Sequence, residues 1–379
     1  MPLKLRVQMK ISAGHIIPFC LLANFLVSCT DHNVTKVERA FYYWKNNESY
    51  LTDGEVERLV NLNAQKLYVK FFEVETDPVF GSKPFAKSSL RIQEYSGYTQ
   101  TAHDSLVCKT MQALNIIPTV YIKNEVFYNA PTGSLDTLAD NIFFLVNKYY
   151  IEKIRNRWND NMQNKTAAYK EIQVDCDWTE KTKDNYFYLL RALKKLSQRD
   201  ISCTLRLYPY KYSNKMGIPP VDKATLMCYN LINPLENEDK NSIQNNEELE
   251  KYLRNIKDYP LHLDIALPVF SWMQLYQNNQ LRGMINPEAS DSQLLLKPVK
   301  PLWYELEKDA ELGEHYLRQG DKIKLEEVSE KVTRESIGLL QRYLSMDSTT
   351  TVTLFQLDER NLQKYSDETL IGFYSAFSQ

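Results

Sequence analysis

Residues 171–177 read Glu-Ile-Gln-Val-Asp-Cys-Asp, a heptapeptide in which polar and apolar side chains alternate. Successive side chains of a β-strand point to opposite faces, so the alternation gives this strand one apolar and one polar face. The apolar face holds Ile172, Val174 and Cys176, and the polar face holds Gln173, Asp175 and Asp177. Because an apolar face packs under helices, the stretch predicts a strand whose carboxyl groups point to the other side of the sheet.

The order of strands and helices around this stretch predicts the fold class. Helical periodicity, with apolar residues three and four positions apart, occurs in residues 53–63, 135–157, 183–198, 246–257 and 333–345. The strand candidates are Ala40–Trp44, Lys66–Val74, Ile116–Ile122, Glu171–Asp177, Ile201–Tyr208, Thr225–Tyr229, Leu261–Leu267 and Thr351–Leu357. Eight strands alternating with helices favour an α/β fold, a (β/α)8 TIM barrel. A doubly wound open sheet is the alternative, although no strand precedes a glycine-rich phosphate loop.

One long stretch does not fit a single loop and helix. Residues 273–331 lie between the seventh and eighth strand candidates, and their length predicts a helical insertion over the mouth of the barrel. With that insertion included, residues 39–379 are predicted to form one barrel domain.

Side-chain parity predicts which residues face the lumen of the barrel. Lys70 is predicted to face the lumen, and Phe72 has the same inward parity. The predicted inward charges are Lys70, Asp175, Asp177, Arg206 and Asp264. Burying so much charge is costly unless the groups pair with one another or bind a ligand. A purely structural ionic network is therefore the alternative to a ligand site.

The N-terminus has the layout of an export signal. Lys4, Arg6 and Lys10 precede a mostly apolar run that ends in Leu26-Val27-Ser28-Cys29, which resembles the lipobox of bacterial lipoproteins. The resemblance implies a signal peptide over 1–28, lipid on the Cys29 thiol and a tether over 29–38. An uncleaved membrane anchor is the alternative.

Net charge and motifs exclude several function classes. Without residues 1–28, which carry three positive side chains and no acidic one, the formal net charge changes from −2 to −5, which does not indicate nucleic-acid binding. There is no Gly-x-Ser-x-Gly elbow and no paired histidine motif, and no cofactor is predicted. Oxygen ligation of a divalent cation by Asp175, Asp177 and Asp264 is a weaker alternative, because Arg206 and Lys70 compete for these carboxylates; no metal site is therefore predicted.

Two short motifs resemble those of chitinase-like, family 18 glycoside hydrolases. Val174-Asp175-Cys176-Asp177-Trp178 is similar to the Asp-x-Asp-x-Glu core on that family's fourth strand, and Met227-Cys228-Tyr229-Asn230 is similar to the Met-x-Tyr-Asp/Asn motif on its sixth. The resemblance implies that Asp177 and Tyr229 orient the sugar. Thr179 stands where the family has its catalytic acid, and Glu180 follows one residue later. The match therefore favours a sugar-binding barrel more than chitinase activity.

The mature chain also resembles a group of lipoproteins from Bacteroides-type bacteria. The stretches LYVKFFEV, EIQVDCDWTEKT, IPPVD and LDIALPVFSW carry this resemblance. It implies a location in the cell envelope, with lipid anchoring to a bacterial membrane, the outer membrane being favoured. It implies no reaction.

Together these patterns predict an exported lipoprotein whose barrel binds a glycan and is a candidate hydrolase. The alternative is a glycan-binding or structural envelope protein without catalysis. The candidate carboxylates are Asp175, Asp177, Glu180 and Asp264. The candidate sugar-binding residues are Lys70, Trp178, Arg206, Tyr229, Asn230 and Trp272.

Overall fold

The computed structural model describes residues 36–46, 50–77, 79, 81–86, 90–91, 101–155, 169–235, 239–254, 258–285, 294–312 and 315–378. All described residues belong to one compact unit of the chain, residues 33–379. The predicted signal peptide, the lipidation of Cys29 and the tether up to residue 35 lie outside the described residues.

Within the described residues, eight parallel strands form a closed barrel, which confirms the predicted fold class. The first strand pairs with both the second and the last, so the sheet closes on itself. The barrel strands are β1 (Glu38–Tyr43), β2 (Lys66–Asp77), β4 (Asn115–Ile122), β5 (Glu171–Asp175), β6 (Asp200–Arg206), β7 (Lys223–Met227), β8 (His262–Pro268) and β16 (Thr351–Phe355). Each of them overlaps one of the eight predicted strands.

Helices cover the outside of the barrel, and their apolar faces pack on the apolar parity of the strands. The described helices are α1 (Asp53–Asn61), α2 (Ala102–Ala113), α3 (Thr132–Tyr149), α4 (Lys183–Ser197), α5 (Leu207–Lys211), α6 (Ser213–Met216), α7 (Asn246–Leu253), α8 (Glu330–Tyr343), α9 (Glu359–Leu362) and α10 (Asp367–Ala376). A 3-10 turn spans Asn124–Phe127, and a π-helical turn follows α3 over Tyr150–Arg155. No helix in the described part of the chain has the length and hydropathy needed to span a bilayer.

A register shift in β2 changes which side chains face the lumen. The pairing of β2 with β4 slips between Lys70 and Phe72, as in a β-bulge. Phe72 consequently packs outward, with its ring centroid 6.1 Å from that of Tyr149 in α3. The inward position predicted for Phe72 is wrong, and Glu73 takes its place: its carboxylate lies 2.5 Å from the inward ammonium of Lys70. The edge strand β3 (Gly81–Ala86) pairs antiparallel with β2 beyond the bulge.

The predicted helical insertion after β8 is not confirmed. The described residues of this stretch form antiparallel strands, five of them in one sheet and two in a separate ribbon. These strands are β9 (Trp272–Gln277), β10 (Gln280–Ile285), β11 (Leu296–Lys300), β12 (Trp303–Leu306), β13 (Ala310–Leu312), β14 (His315–Leu317) and β15 (Lys322–Glu326).

The local sequence of the insertion explains why it forms strands. Asn278 and Asn279 join β9 to β10 with φ angles of 52° and 60°, the left-handed conformation that tight hairpin turns require. In the strands, apolar residues recur at every second position, as Met273 and Leu275 do in β9, and these two pack with Ile323 of β15. A period of two residues and a separate small core favour a sheet over helices.

Candidate functional site

The carboxyl ends of the barrel strands form a mouth at which most of the predicted site residues meet. Active sites of this fold lie at this end. Five of the predicted residues found there are Lys70 on β2, Asp175 at the end of β5, Asp177 two residues beyond it, Arg206 at the end of β6, and Tyr229 after β7. Strand alternation had predicted an inward direction for four of them, Lys70, Asp175, Asp177 and Arg206, whereas Tyr229 was predicted from its motif.

A salt bridge and a buried carboxyl group mark the β5–β6 side of the mouth. The Arg206 Nε donates to Asp177 Oδ1 at 2.5 Å, and Nη2 donates to Asp177 Oδ2 at 3.3 Å. Asp175 is buried and accepts a hydrogen bond from the Thr204 hydroxyl. Burial raises the pKa of Asp175 above its ordinary value, against the opposing charges of Arg206 and Lys70, and the nearby charge of Asp177 raises it further.

The β2 side of the mouth carries a second ion pair. Lys70 is buried, lies 2.5 Å from the Glu73 carboxylate and sits 5.2 Å from the centre of the Trp44 ring. Glu73 is a site residue that sequence parity missed, because the bulge in β2 reverses the parity beyond Lys70. Only the register of β2 against β4 reveals its inward position.

A tyrosine on β4 lies near the carboxylates. In the strand register, Tyr121 pairs with Glu73 of β2 on one side and with Asp175 of β5 on the other. Burial, followed by the charges of Asp175 and Asp177, raises the pKa of Tyr121 to about 12. At neutral pH the phenol therefore keeps its proton and can donate a hydrogen bond to a ligand.

Aromatic rings line the rest of the mouth in a connected wall. Its members are Tyr121, Trp44, Phe355, Tyr229, Phe270 and Trp272, and successive ring centroids lie between 5.3 and 6.5 Å apart. Trp44, Tyr121, Phe355 and Trp272 keep part of their surface exposed. Phe355 was not among the predicted residues. Partly exposed rings of this kind present flat faces on which sugars can stack.

Tyr229 and Asn230 occupy the mouth in different ways. Tyr229 is buried within the aromatic wall, and its hydroxyl faces the Met227 sulfur at 3.9 Å. Asn230 is exposed and takes a left-handed backbone conformation with φ of 54°, while its N–H donates to the Ile243 carbonyl. The Asn230 side chain is therefore accessible to a ligand, whereas Tyr229 mainly shapes the wall.

Trp272 joins the mouth to the insertion. Its indole N–H donates to the Glu326 carboxylate in β15. Glu326 is fully buried, lies 2.9 Å from the Lys324 ammonium and also accepts the backbone N–H of Ser242 after β7. This buried cluster holds the insertion sheet against the segment that follows β7.

Trp178, predicted to bind sugar, is a core residue. β5 ends at Asp175, so strand alternation no longer fixes the direction of Trp178. The indole stacks on Tyr186 at 5.2 Å, and its N–H donates to the Met216 carbonyl at 3.3 Å. With only 3% of its surface exposed, Trp178 cannot offer a stacking face.

Glu180, a candidate acid, lies outside the mouth. Its carboxylate pairs with Lys215 at 3.3 Å, and both side chains are about half exposed. Thr179, which stands at the acid position of the resembling family, turns its hydroxyl to Thr182 at 3.1 Å. Thr182 in turn donates to Asn124 at 2.6 Å, so Thr179 helps to fix the start of α4.

Asp264, the other candidate acid, lies near the amino ends of the strands, away from the mouth. Its carboxylate accepts the Thr351 N–H at 2.7 Å and pairs with Lys223 at 2.8 Å, and these residues begin β16 and β7. Lys223 also lies 3.1 Å from Glu171, the first residue of β5. Asp264 thus belongs to an ionic network away from the mouth, and the structure does not bring it together with the other candidate carboxylates.

This separation also removes the alternative of a cation site built from the three aspartates. Among the residues that the structure describes, no group of three His, Cys, Asp or Glu side chains is arranged to hold a metal ion.

The barrel resembles solved glycoside hydrolases. A variant of a class V chitinase from Nicotiana tobaccum, in complex with NAG4, has a TM-score of 0.50 and 9% identity over 89% of this chain and 99% of that one. The spore cortex-lytic enzyme of Bacillus cereus has a TM-score of 0.49 and 13% identity over 90% and 75%, and a chitinase from Chromobacterium violaceum has 0.48 and 10% over 90% and 98%. At these identities the likeness concerns the fold. No family profile and no curated protein sequence match the chain.

Proposed function

We propose that the mouth of this barrel binds a glycan without hydrolysing it, and that lipid on Cys29 holds the protein in the bacterial cell envelope. The observation that carries the proposal is the combination of an aromatic wall with charged groups that are already paired. Aromatic faces bind the C–H faces of sugars, and the carboxylates and cations beside them can bond to sugar hydroxyl groups.

The positions of the candidate acids favour binding over hydrolysis. A two-carboxylate glycosidase needs a protonated carboxyl group beside the bond that is cleaved. Thr179 has no carboxyl group, the Glu180 carboxylate pairs with Lys215, and Asp264 lies near the amino ends of the strands. The acid of the resembling family therefore has no replacement among these three residues.

The resemblance to family 18 enzymes suggests which residues orient the sugar. By that resemblance, Asp177 hydrogen-bonds an acetamido group, and its partly exposed carboxylate beside Arg206 is accessible for this role. The tobacco chitinase structure contains NAG4, which makes oligomers of N-acetylglucosamine the first ligands to examine.

Hydrolysis is the second candidate function, and the buried environment of Asp175 favours it. Burial raises the pKa of Asp175, which is the property that a proton donor requires. Asp177 follows two residues later as a carboxylate that could act with it.

The proposal is tested with the full chain in detergent, titrated with a panel of oligosaccharides that includes NAG4. Asp177→Asn and Trp44→Ala should each weaken binding, Trp44→Ala by about tenfold or more because a stacking face is lost. Phe144→Ala, which removes an aromatic ring 65% exposed on the outer helix α3, is the matched control and should bind as the parent does. Equal affinities in all four proteins would show that the ligand does not occupy the mouth.

A further inference from the structure

A second pocket opens beside the mouth, between the segment after β5 and the short helices α5 and α6. Its volume is about 370 Å3. Buried Cys176, Trp178 and Met216 form its apolar floor. Asp177 and Arg206 also line it, so the pocket is continuous with the charged side of the mouth.

The charges at the rim of this pocket are mutually neutralised. Asp177 pairs with Arg206 at 2.5 Å, and Glu180 pairs with Lys215 at 3.3 Å. A ligand with its own charge would have to displace a partner from one of these pairs. Neutral hydroxyl or amide groups can accept from the cations and donate to the carboxylates while both pairs persist.

An exposed aromatic pair stands at the edge of the pocket. Tyr208, a lining residue on α5, is 46% exposed, and Tyr212 at the end of α5 is 39% exposed. Their ring centroids lie 4.7 Å apart. Core packing does not account for two adjacent rings with this much free surface, and such rings offer stacking faces next to the pocket.

We propose that this pocket is a second sugar subsite, in which a neutral hexose or N-acylhexosamine unit of the same glycan stacks on Tyr208. The inference rests on the proposed function, because the glycan reaches the pocket across Asp177 from the mouth. The apolar floor suits an acyl methyl group, and the paired rim suits hydroxyl groups without charge.

The subsite is tested by the dependence of affinity on glycan length. The full chain in detergent is titrated with N-acetylglucosamine oligomers from the disaccharide to the hexasaccharide. In the parent, affinity should rise with length and then level off once both sites are filled. Tyr208→Ala should leave the shortest bound oligomers unaffected and weaken the longest by about five- to tenfold, while Tyr208→Trp retains the stacking face and the affinity.

Two controls are a charged ligand series and a variant far from the pocket. Glucosamine oligomers, which carry ammonium groups, should gain less affinity with length than their neutral counterparts. Phe144→Ala should follow the parent at every length. If Tyr208→Ala follows the parent while Trp44→Ala loses affinity, the subsite is wrong and the proposed function stands. If the parent binds no oligomer of any length, both are wrong.

Discussion

Arg206 acts on two carboxyl groups that differ in exposure. It forms a salt bridge with Asp177 at the rim, and its charge opposes the rise in the pKa of buried Asp175. Without Arg206, the Asp175 carboxylate keeps only Thr204 and Lys70 as stabilising neighbours among those that affect its pKa. The cost should fall short of that of a fully buried pair, because about a third of the Arg206 side chain is exposed.

Arg206→Met should therefore destabilise the fold near neutral pH by about 1–3 kcal/mol. The difference from the parent should shrink as the pH falls through the pKa of Asp175, because a protonated carboxyl group needs no cation. Urea unfolding midpoints measured across pH check both parts. Arg191→Met, on the exposed face of α4, is the control and should match the parent. Equal midpoints for Arg206→Met and the parent at every pH would contradict the role given to Arg206.

His262 gives a pH dependence of the opposite sign near the other end of the barrel. The Asp264 carboxylate, 3.4 Å from the His262 Nε2, raises the pKa of His262, with Asp347 contributing and burial and Lys223 opposing. A raised pKa contributes stability that is fully present below the unfolded value of about 6.5 and is lost as the pH rises through the folded value. His262 is partly exposed, so the effect should be modest.

His262→Asn should accordingly be less stable than the parent at about pH 5.5, by up to about 1 kcal/mol, and close to it at about pH 8.5. Unfolding midpoints at the two pH values provide the measurement. His103→Asn removes a half-exposed histidine on α2 and serves as the control. A deficit for His262→Asn that grows toward alkaline pH would have the wrong sign.

The residues that sequence predicted well lie where strand alternation holds. Asp175 and Arg206 end their strands in the predicted inward direction. Trp178 was misassigned because it lies beyond the end of β5, where contacts with Tyr186 fix its direction. Asp264 does face the interior, but parity does not give its height along the barrel axis. Its contacts with Lys223 and Thr351 show that it lies near the amino ends of the strands.

At the scale of elements, irregular pairing limits what a pattern can predict. The bulge in β2 moves Glu73 into the mouth, although simple alternation points it outward. The insertion was predicted as helical from its length alone. The recurrence of apolar residues at every second position, which indicates strands, was not taken into account. Both errors concern places where one strand meets another, and a single strand's sequence carries little of that information.

The buried pair in β15 gives a prediction for the insertion. Lys324 and Glu326 are both fully buried and lie 2.9 Å apart. Glu326→Ala would leave a buried ammonium without its carboxylate, and it should cost about 3–5 kcal/mol in the free energy of unfolding. The double variant Lys324→Met with Glu326→Leu removes both charges and should recover part of that loss, because Trp272 and Ser242 still lose their acceptor. A single variant as stable as the parent in urea would show that the pair does not hold the insertion.

For the whole molecule, the alternation of eight strands with helices was sufficient to predict a closed barrel. Function was harder to predict, because it depends on rim residues outside regular strands. Thr179 and Glu180 show this, because their sequence positions suggest a displaced acid. In the structure, the Thr179 hydroxyl helps to fix the start of α4, and the Glu180 carboxylate pairs with Lys215. Loop residues are positioned by tertiary contacts, which short motifs do not encode.

Anchoring is a property of the whole chain and stays a prediction. If lipid is attached to the Cys29 thiol, Cys29→Ala should yield an uncleaved or released protein without lipid label. Growth with a radiolabelled fatty acid, followed by isolation of the parent and the variant, gives the measurement. Cys20→Ala, within the predicted signal peptide, should be labelled as the parent is. Undiminished labelling of Cys29→Ala would contradict the predicted lipid site.

We propose that the mouth of the barrel binds a glycan without cleaving it. The most direct measurement titrates the full chain with N-acetylglucosamine oligomers and analyses the same samples for shorter products by chromatography. We expect saturable binding that Trp44→Ala weakens, with oligomers recovered intact after long incubation. Shorter products formed by the parent and abolished by Asp175→Asn would contradict it, and would identify the protein as a hydrolase that uses the buried carboxyl group.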